Sequence, residues 1–299
     1  MPTPPISVVH LVDGTYELFR HYFAVPSRVD PSGQEVGATR GVVDNMLRLL
    51  ESGATHIGVA TDHIIDSFRN ELYGGYKRDG GIEPPLRSQF TLLEAALYEL
   101  GVTVWPMVEF EADDALAAGA ATAVAAGVSK VAILTPDKDL AQCVRDPHVV
   151  QIDRRKETVA DEAAVMAKFG VPPRLIPDYL ALVGDAADGF PGIPGFGPKS
   201  AATVLTHFGA LEAIPPDPAA WDVPGLRGAA KLAQTLADRR DDAALFKRLA
   251  TLVTEGPDVG IPADWRWTGT RAGFAEWAER LGSPAWMERT DRLAQARLG

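Results

Sequence analysis

The chain has 299 residues, 46% of them hydrophobic and 23% charged, enough to pack one or two domains and too apolar for a disordered chain. Its formal charge of −11 runs against the usual basic balance of a nucleic-acid binder, although the placement of charges decides more than their sum. One cysteine excludes a disulfide scaffold and a cysteine-based zinc site. No apolar run is long enough for a membrane span, and Met1-Pro2-Thr3-Pro4-Pro5 lacks the basic lead of a secretory signal, so a cytoplasmic protein without membrane partners is expected.

The first half alternates strand-like and helix-like stretches. Residues 6–12 read as a buried strand that runs straight into Asp13-Gly14. Residues 36–50 carry Val42, Val43, Met46, Leu47 and Leu50 at helical spacing. A short apolar run at 56–60 ends at Thr61-Asp62. Residues 86–100 read as helix, 102–105 as strand, 111–126 as an alanine-rich helix, and 131–134 as a strand ending at Thr135-Pro136-Asp137; 149–152 is a further strand candidate. This rhythm predicts an α/β domain built on a parallel sheet covered by helices. From about residue 171 strand signals thin out. Helices are expected at 177–183, 200–208 (closed by Gly209), 231–254 and 271–281, with a proline-rich connection at 214–225 and no internal repeat.

Acids gather where the apolar runs stop. Asp13, Asp62 and Asp137 follow three strand candidates, and ligands in open parallel sheets bind beyond the carboxyl ends of the strands. Asp139 lies two residues after Asp137. Glu111, Asp113 and Asp114 open a helix, and Asp185 and Asp188 stand at i and i+3 after another. Taken singly, each of these acids also reads as a helix cap or a solvated loop acid. Taken together they would repel one another unless a cation intervenes. Carboxylates without histidine or cysteine partners suit Mg²⁺ or Mn²⁺, and two such ions support phosphoryl transfer. Without these nine acids, 31 acids face 29 bases, so most of the net negative charge would belong to the site.

The stretch Gly192-Ile193-Pro194-Gly195-Phe196-Gly197-Pro198-Lys199-Ser200 superficially suggests a phosphate loop. It fails that pattern because Pro198 separates Gly197 from Lys199. A hairpin between two helices fits better. Pro198 suits a first helical turn, the glycines let backbone N–H groups approach a phosphate, and no acid occurs from 189 to 211. Such a helix-hairpin-helix grips a DNA backbone without reading sequence; the alternative is a glycine-rich interdomain turn.

Five motifs in order resemble the 5′-nuclease (flap endonuclease) family, in particular the N-terminal 5′-3′ exonuclease domain of bacterial DNA polymerase I and its stand-alone relatives. They are Leu11-Val12-Asp13-Gly14, Ser67-Phe68-Arg69 with Tyr73-Gly74-Gly75-Tyr76-Lys77, Phe110-Glu111-Ala112-Asp113-Asp114, Leu134-Thr135-Pro136-Asp137-Lys138-Asp139-Leu140, and Asp178-Tyr179-Leu180-Ala181-Leu182-Val183-Gly184-Asp185 leading into the hairpin. The resemblance implies a PIN-like nuclease domain over 1–170 with a helical arch at about 66–90, then a helix-three-turn-helix (helix-hairpin-helix) α-helical domain over 171–299. It implies Mg²⁺-dependent hydrolysis of DNA near 5′ ends and flaps by two-metal-ion catalysis. Asp13, Asp62, Glu111, Asp113, Asp137, Asp139 and Asp188 match the metal cluster, and Asp114 and Asp185 the additional bacterial acids. Asp13, Asp62 and Asp137 are expected to be catalytic through those ions, and Lys77 is expected to orient the scissile phosphate, though on its own it also reads as a surface lysine beside Arg78.

For DNA the resemblance implies Phe19, Arg20, Arg69, Lys77 and Arg78 along the strand, and Gly195, Gly197, Lys199 and Ser200 at the duplex, where K⁺ is expected. Phe19 and Tyr22 also stand at helical spacing for a core. The expected partners are 5′-flap DNA, with RNA primers as further substrates, and a separate polymerase and ligase; the expected state is a monomer. The chain departs from the family at Ala187 and Gly189, which flank Asp188 where serine and asparagine are usual, and at Gly80, where the arch often has arginine. A DNA junction-binding protein without catalysis and a PIN-type ribonuclease are the competing readings.

Overall fold

The computed structural model describes residues 6–78 and 80–298. Met1–Pro5, the stretch bearing on a leader, and Asp79 within the expected arch lie outside the described residues. The first half runs β1 (Val8–Asp13), α1 (Gly14–Ala24), α2 (Gly37–Glu51), β2 (His56–Asp62), α3 (Arg69–Leu72), α4 (Pro84–Arg87), α5 (Gln89–Leu100), β3 (Thr103–Met107), α6 (Ala112–Ala125) and β4 (Lys130–Leu134). The second runs β5 (Val149–Asp153), β6 (Thr158–Ala160), α7 (Glu162–Phe169), α8 (Ile176–Val183), α9 (Pro198–Phe208), α10 (Ala229–Asp238), α11 (Arg240–Ala250), α12 (Phe274–Arg280) and α13 (Trp286–Leu298).

Contacts divide the chain into two compact units: residues 1–65, 79–135 and 253–299, and residues 66–78 and 136–252. In the first unit four parallel strands stand in the order β3-β2-β1-β4. The central strands are buried on both faces, which explains their unbroken apolar sequence (Val9, Leu11, Val12, Ile57 and Val59 are fully buried). Gly14 permits the step from β1 into α1: a Cβ there would meet the carbonyl oxygen of Ala60 at 2.8 Å. The N-terminus of α1 therefore lies directly against β2, and the acids that end β1 and β2 share one edge of the sheet.

Residues 253–299 complete this unit. Trp265 packs edge-on to Trp105, and α13 is tied to α2 by Arg289, which bonds Asp44 and both oxygens of Glu51. Burial opposes ionisation of Asp44, but Arg289, Arg48 and Trp286 outweigh it and hold its pKa below the ordinary value. Hydrogen bonding to Arg289 lowers that of Glu51.

The second unit has the β5–β6 hairpin and a helical core built on Ile176, Leu180, Phe190, Val204, Leu205, Leu236 and Phe246. Two expected helices prove to be broken. The 86–100 stretch divides into α4 and α5 at Ser88, and the 231–254 stretch divides at Arg239, whose backbone (φ −123°, ψ 30°) leaves helical geometry, and ends at Ala250. The segment expected as an arch carries two four-residue helices, α3 and α4. A repeat unseen in the sequence also emerges. Phe196 N–H donates to Ile193 at 3.1 Å and Leu226 N–H to Val223 at 3.2 Å, so Ile-Pro-Gly-Phe and Val-Pro-Gly-Leu make the same turn, each with a left-handed glycine before a helix. Among the described residues no helix is long and apolar enough to cross a membrane.

Candidate metal centre

The first unit holds five of the nine acids, and donors of the fold fix Asp13, Asp62, Glu111 and Asp114. Asp13 is buried at the end of β1. One of its oxygens caps α1 by accepting Tyr16 N–H at 2.8 Å, and the other accepts the Thr135 hydroxyl at 2.9 Å. Asp62 ends β2 and accepts Ala112 N–H at 2.8 Å, which joins it to the start of α6; its own N–H donates to the Thr15 hydroxyl at 2.8 Å. Glu111 and Asp114 form a reciprocal capping box at the N-terminus of α6, with Glu111 N–H on Asp114 at 3.0 Å. Asp114 is fully buried, and its other oxygen accepts Val253 N–H at 2.8 Å. Backbone donors thus meet both oxygens of Asp114, while Asp113, half-buried, follows Glu111 on the first turn of the helix.

The second unit holds Asp137, Asp139, Asp185 and Asp188. Asp137 is half-buried and accepts Asp139 N–H at 2.9 Å, which turns the chain so that Asp139 points inward; the Gln151 amide donates to the Asp137 carbonyl. Asp185 and Phe190 exchange backbone hydrogen bonds at 2.8 and 3.1 Å, closing a tight loop that carries Asp188. Oxygens of Asp139, Asp185 and Asp188, all buried, lie within 4.8 Å of one another. Burial first, and then the charges of Asp137, Asp188 and Asp185, push the Asp139 carboxyl well above its ordinary pKa, with Lys138 opposing them. Among the described residues Asp139 Oδ1 makes no hydrogen bond. A buried, all-oxygen donor set with a carboxylate oxygen that makes no hydrogen bond is the environment a hard divalent cation takes, so these residues fit such an ion.

Two lysines enter this cluster. Lys77 Nζ stands 3.0 Å from Asp188 Oδ1, and its N–H donates to the Asp188 carbonyl at 2.9 Å. Lys138 Nζ contacts Asp185 Oδ2 and lies 3.6 Å from Asp139 Oδ1. Burial disfavours the Lys138 charge, but Asp139, Asp185 and Asp137 outweigh it and hold its pKa above the ordinary value. Sequence reasoning singled out Lys77 and missed Lys138, although the spacing Asp-Lys-Asp was the available signal.

The departure at Gly189 has a structural account. Its φ is +84°, and a Cβ would lie 2.2 Å from the Gly75 carbonyl oxygen, so only glycine lets this loop pass beneath the segment that carries Lys77.

The residues expected to touch DNA divide. Arg78 and Lys199 are exposed. Gly197 caps α9, with its N–H on the Ser200 hydroxyl at 2.9 Å, and Gly195 holds the left-handed turn (φ +90°) before it. Phe19 packs edge-on to Phe90 with ring centroids 6.0 Å apart, and Arg20 is tied to Glu17. Arg69 is only 1% exposed; its guanidinium donates to the carbonyls of Leu249 at 2.8 Å and Thr251 at 3.1 Å. These bonds place the Arg69 guanidinium against the end of α11.

Comparison with known proteins decides the family. Residues 8–170 match the model of the 5′-3′ exonuclease N-terminal resolvase-like domain, and residues 171–271 that of the 5′-3′ exonuclease C-terminal SAM fold. The chain belongs to the 5′-3′ exonuclease family. It is 34% identical over 211 residues to a 5′-3′ exonuclease of Aquifex aeolicus, covering 70% of this chain and 72% of that one. It is 35% identical over 255 residues to DNA polymerase I of Pseudomonas aeruginosa, covering 82% of this chain but 27% of the polymerase; the chain thus spans about a quarter of that relative. Among solved structures it resembles a bacteriophage T5 flap endonuclease, described as a pseudo-enzyme-product complex with DNA and metal ions, with TM-score 0.65, 19% identity and coverage of 96% and 98%. It also resembles the catalytic core of Rad2 in complex with DNA substrate, with TM-score 0.61, 17% identity and coverage of 96% and 91%. The fold is accordingly the PIN-like, resolvase-like α/β domain followed by a helical SAM-fold domain.

Proposed function

We propose that this protein hydrolyses DNA phosphodiesters near 5′ ends and flap junctions with two divalent ions, Mg²⁺ (or Mn²⁺) in the cell. The observation that carries this reading is the buried Asp139–Asp185–Asp188 cluster, with an Asp139 oxygen that makes no hydrogen bond, in a chain of this family. Asp13, Asp62, Glu111 and Asp113 would hold one ion and Asp137, Asp139, Asp185 and Asp188 the other. When bound, the ions supply an acidified water and neutralise charge on the leaving oxygen.

The remaining work falls to this chain's own side chains. Lys77, one-third exposed, releases Asp188 and donates to the scissile phosphate as negative charge grows there. The backbone N–H groups at the start of α9, with Lys199, grip duplex phosphates irrespective of sequence, and the hairpin would hold K⁺ to neutralise phosphate charge. Arg20, Arg78 and the ring of Phe19 line the displaced strand. Asp114 supports the site by fixing the first turn of α6, and Arg69 supports it by anchoring the end of α11. The nuclease domain spans 1–170 with an arch near 66–90, and the DNA-binding domain 171–299. The protein acts as a cytoplasmic monomer on flaps and RNA primers, alongside polymerase and ligase activities.

A labelled 5′-flap duplex in Mg²⁺ or EDTA, beside a single-stranded RNA, tests this. Metal-dependent cutting near the junction, abolished in Asp137→Ala with flap affinity retained, supports it. Tight flap binding without cutting in any divalent ion identifies a junction-binding protein instead, and cutting of the RNA alone identifies a ribonuclease.

A further inference from the structure

Three buried carboxylates whose oxygens lie within 4.8 Å of one another repel strongly wherever no cation stands between them. Removing the partner of a buried charge is among the most destabilising of changes, because the charge left behind has neither water nor a counter-charge. A site designed for a divalent ion must therefore survive its own empty state, after synthesis and whenever the ion leaves. The fold places Lys138 where it can meet that need. It sits between Asp137 and Asp139 in the sequence, on the turn that aims Asp139 inward. Its ammonium contacts Asp185 Oδ2 and lies 3.6 Å from Asp139 Oδ1, so one cation bridges two acids of the cluster. A third of its side chain is exposed, so the head reaches the acids from the surface rather than from a closed pocket. Four methylenes allow the head to enter and leave without moving the backbone. Lys77 stands on the third acid, Asp188, and its backbone is fixed to the same loop.

We propose that Lys138 is a built-in counter-ion that occupies the Asp139–Asp185 pair when no divalent ion is bound and swings to solvent when one enters. The lysine protects the empty site and competes with the ion for the same oxygens. By mass action the observed affinity for the ion is lowered by the fraction of molecules in which the lysine is seated. This rests on the divalent-ion reading of the cluster and adds a residue that tunes it.

The test uses the full chain without DNA and Mn²⁺ as the only probe. Thermal midpoints are measured in EDTA and in saturating Mn²⁺, and Mn²⁺ affinity by titration calorimetry with spin-resonance counting of free ion, for the wild type, Lys138→Met, Lys138→Gln and Asp139→Asn. The lysine variants are expected to melt earlier in EDTA, to bind Mn²⁺ at least about tenfold more tightly, and to gain more from Mn²⁺ than the wild type does. A variant unfolded in EDTA but folded in Mn²⁺ supports the proposal; one unfolded in both contradicts it. Unchanged or weaker Mn²⁺ binding in both lysine variants overturns it and makes Lys138 an organiser of the site or a bystander. The Asp139→Asn variant separates the two layers: if Mn²⁺ binding survives it untouched, the ion reading of the cluster itself fails, whatever the lysine variants do.

Discussion

The two units solve the problem of holding acids in different ways. In the first, fold donors bind the carboxylates: Tyr16 N–H and the Thr135 hydroxyl on Asp13, Ala112 N–H on Asp62, and a capping box with Val253 N–H on Asp114. Such acids keep their orientation whether or not a cation is present, because hydrogen bonds to an ionised group are strong and directional. In the second, Asp139, Asp185 and Asp188 crowd together and are offset by the ammonium groups of Lys77 and Lys138. Charge compensation is less directional and can be exchanged. The first set is preorganised, and the second is the one that should respond to ions.

That contrast can be broken in order of expected effect. Asp139→Asn removes a charge from the cluster. Because residues that merely orient metal ligands cost about 10–100-fold when lost, cleavage of a 5′ flap should fall by more than about 100-fold. Circular dichroism should show the fold unchanged, and activity within threefold of wild type would remove Asp139 from the reaction. Asp114→Ala should act through stability instead. It strips a charged acceptor from two buried N–H groups, at a cost of about 3 kcal/mol in urea unfolding, with or without Mg²⁺. Stability lost only in the presence of Mg²⁺ would make Asp114 a ligand rather than a support.

Smaller effects lie further from the acids. Lys199→Ala should weaken duplex binding and lower the slope of log affinity against log salt by about 1; an unchanged slope removes it from the phosphate contacts. Arg289→Met should affect the acid limb of stability. Asp44 and Glu51 both have folded pKa values below their ordinary ones, so their tie to Arg289 is intact at neutral pH. Its stabilisation is lost as pH falls from the ordinary carboxylate range through the lower folded values. The variant's stability should therefore vary less with pH in that window; an identical acid limb would leave the tie without weight.

The strands and their terminal acids were legible because strands buried on both faces are nearly unbroken apolar runs, and Asp13, Asp62 and Asp137 stand where the runs stop. The capping box at Glu111 and Asp114 was legible as acids opening a helix, but Asp114's bond to Val253 joins residues 139 positions apart, and no local pattern encodes it. The breaks at Ser88 and Arg239 escaped because helical periodicity continues across them. Helix α13 escaped for the opposite reason: it is held by Arg289 and Arg297 on α2 and the carbonyls that follow it more than by an apolar stripe. The depth of Arg69 and the place of the Lys138 ammonium between two acids were not legible, because the burial of a basic side chain depends on elements far away in the sequence.

The most direct measurement of the central claim is anomalous scattering from crystals grown with saturating Mn²⁺. The account predicts a peak among the carboxylate oxygens of Asp139, Asp185 and Asp188, with the Lys138 ammonium displaced from Asp185. A map with no peak at these carboxylates, and both lysines still seated on them, would contradict it.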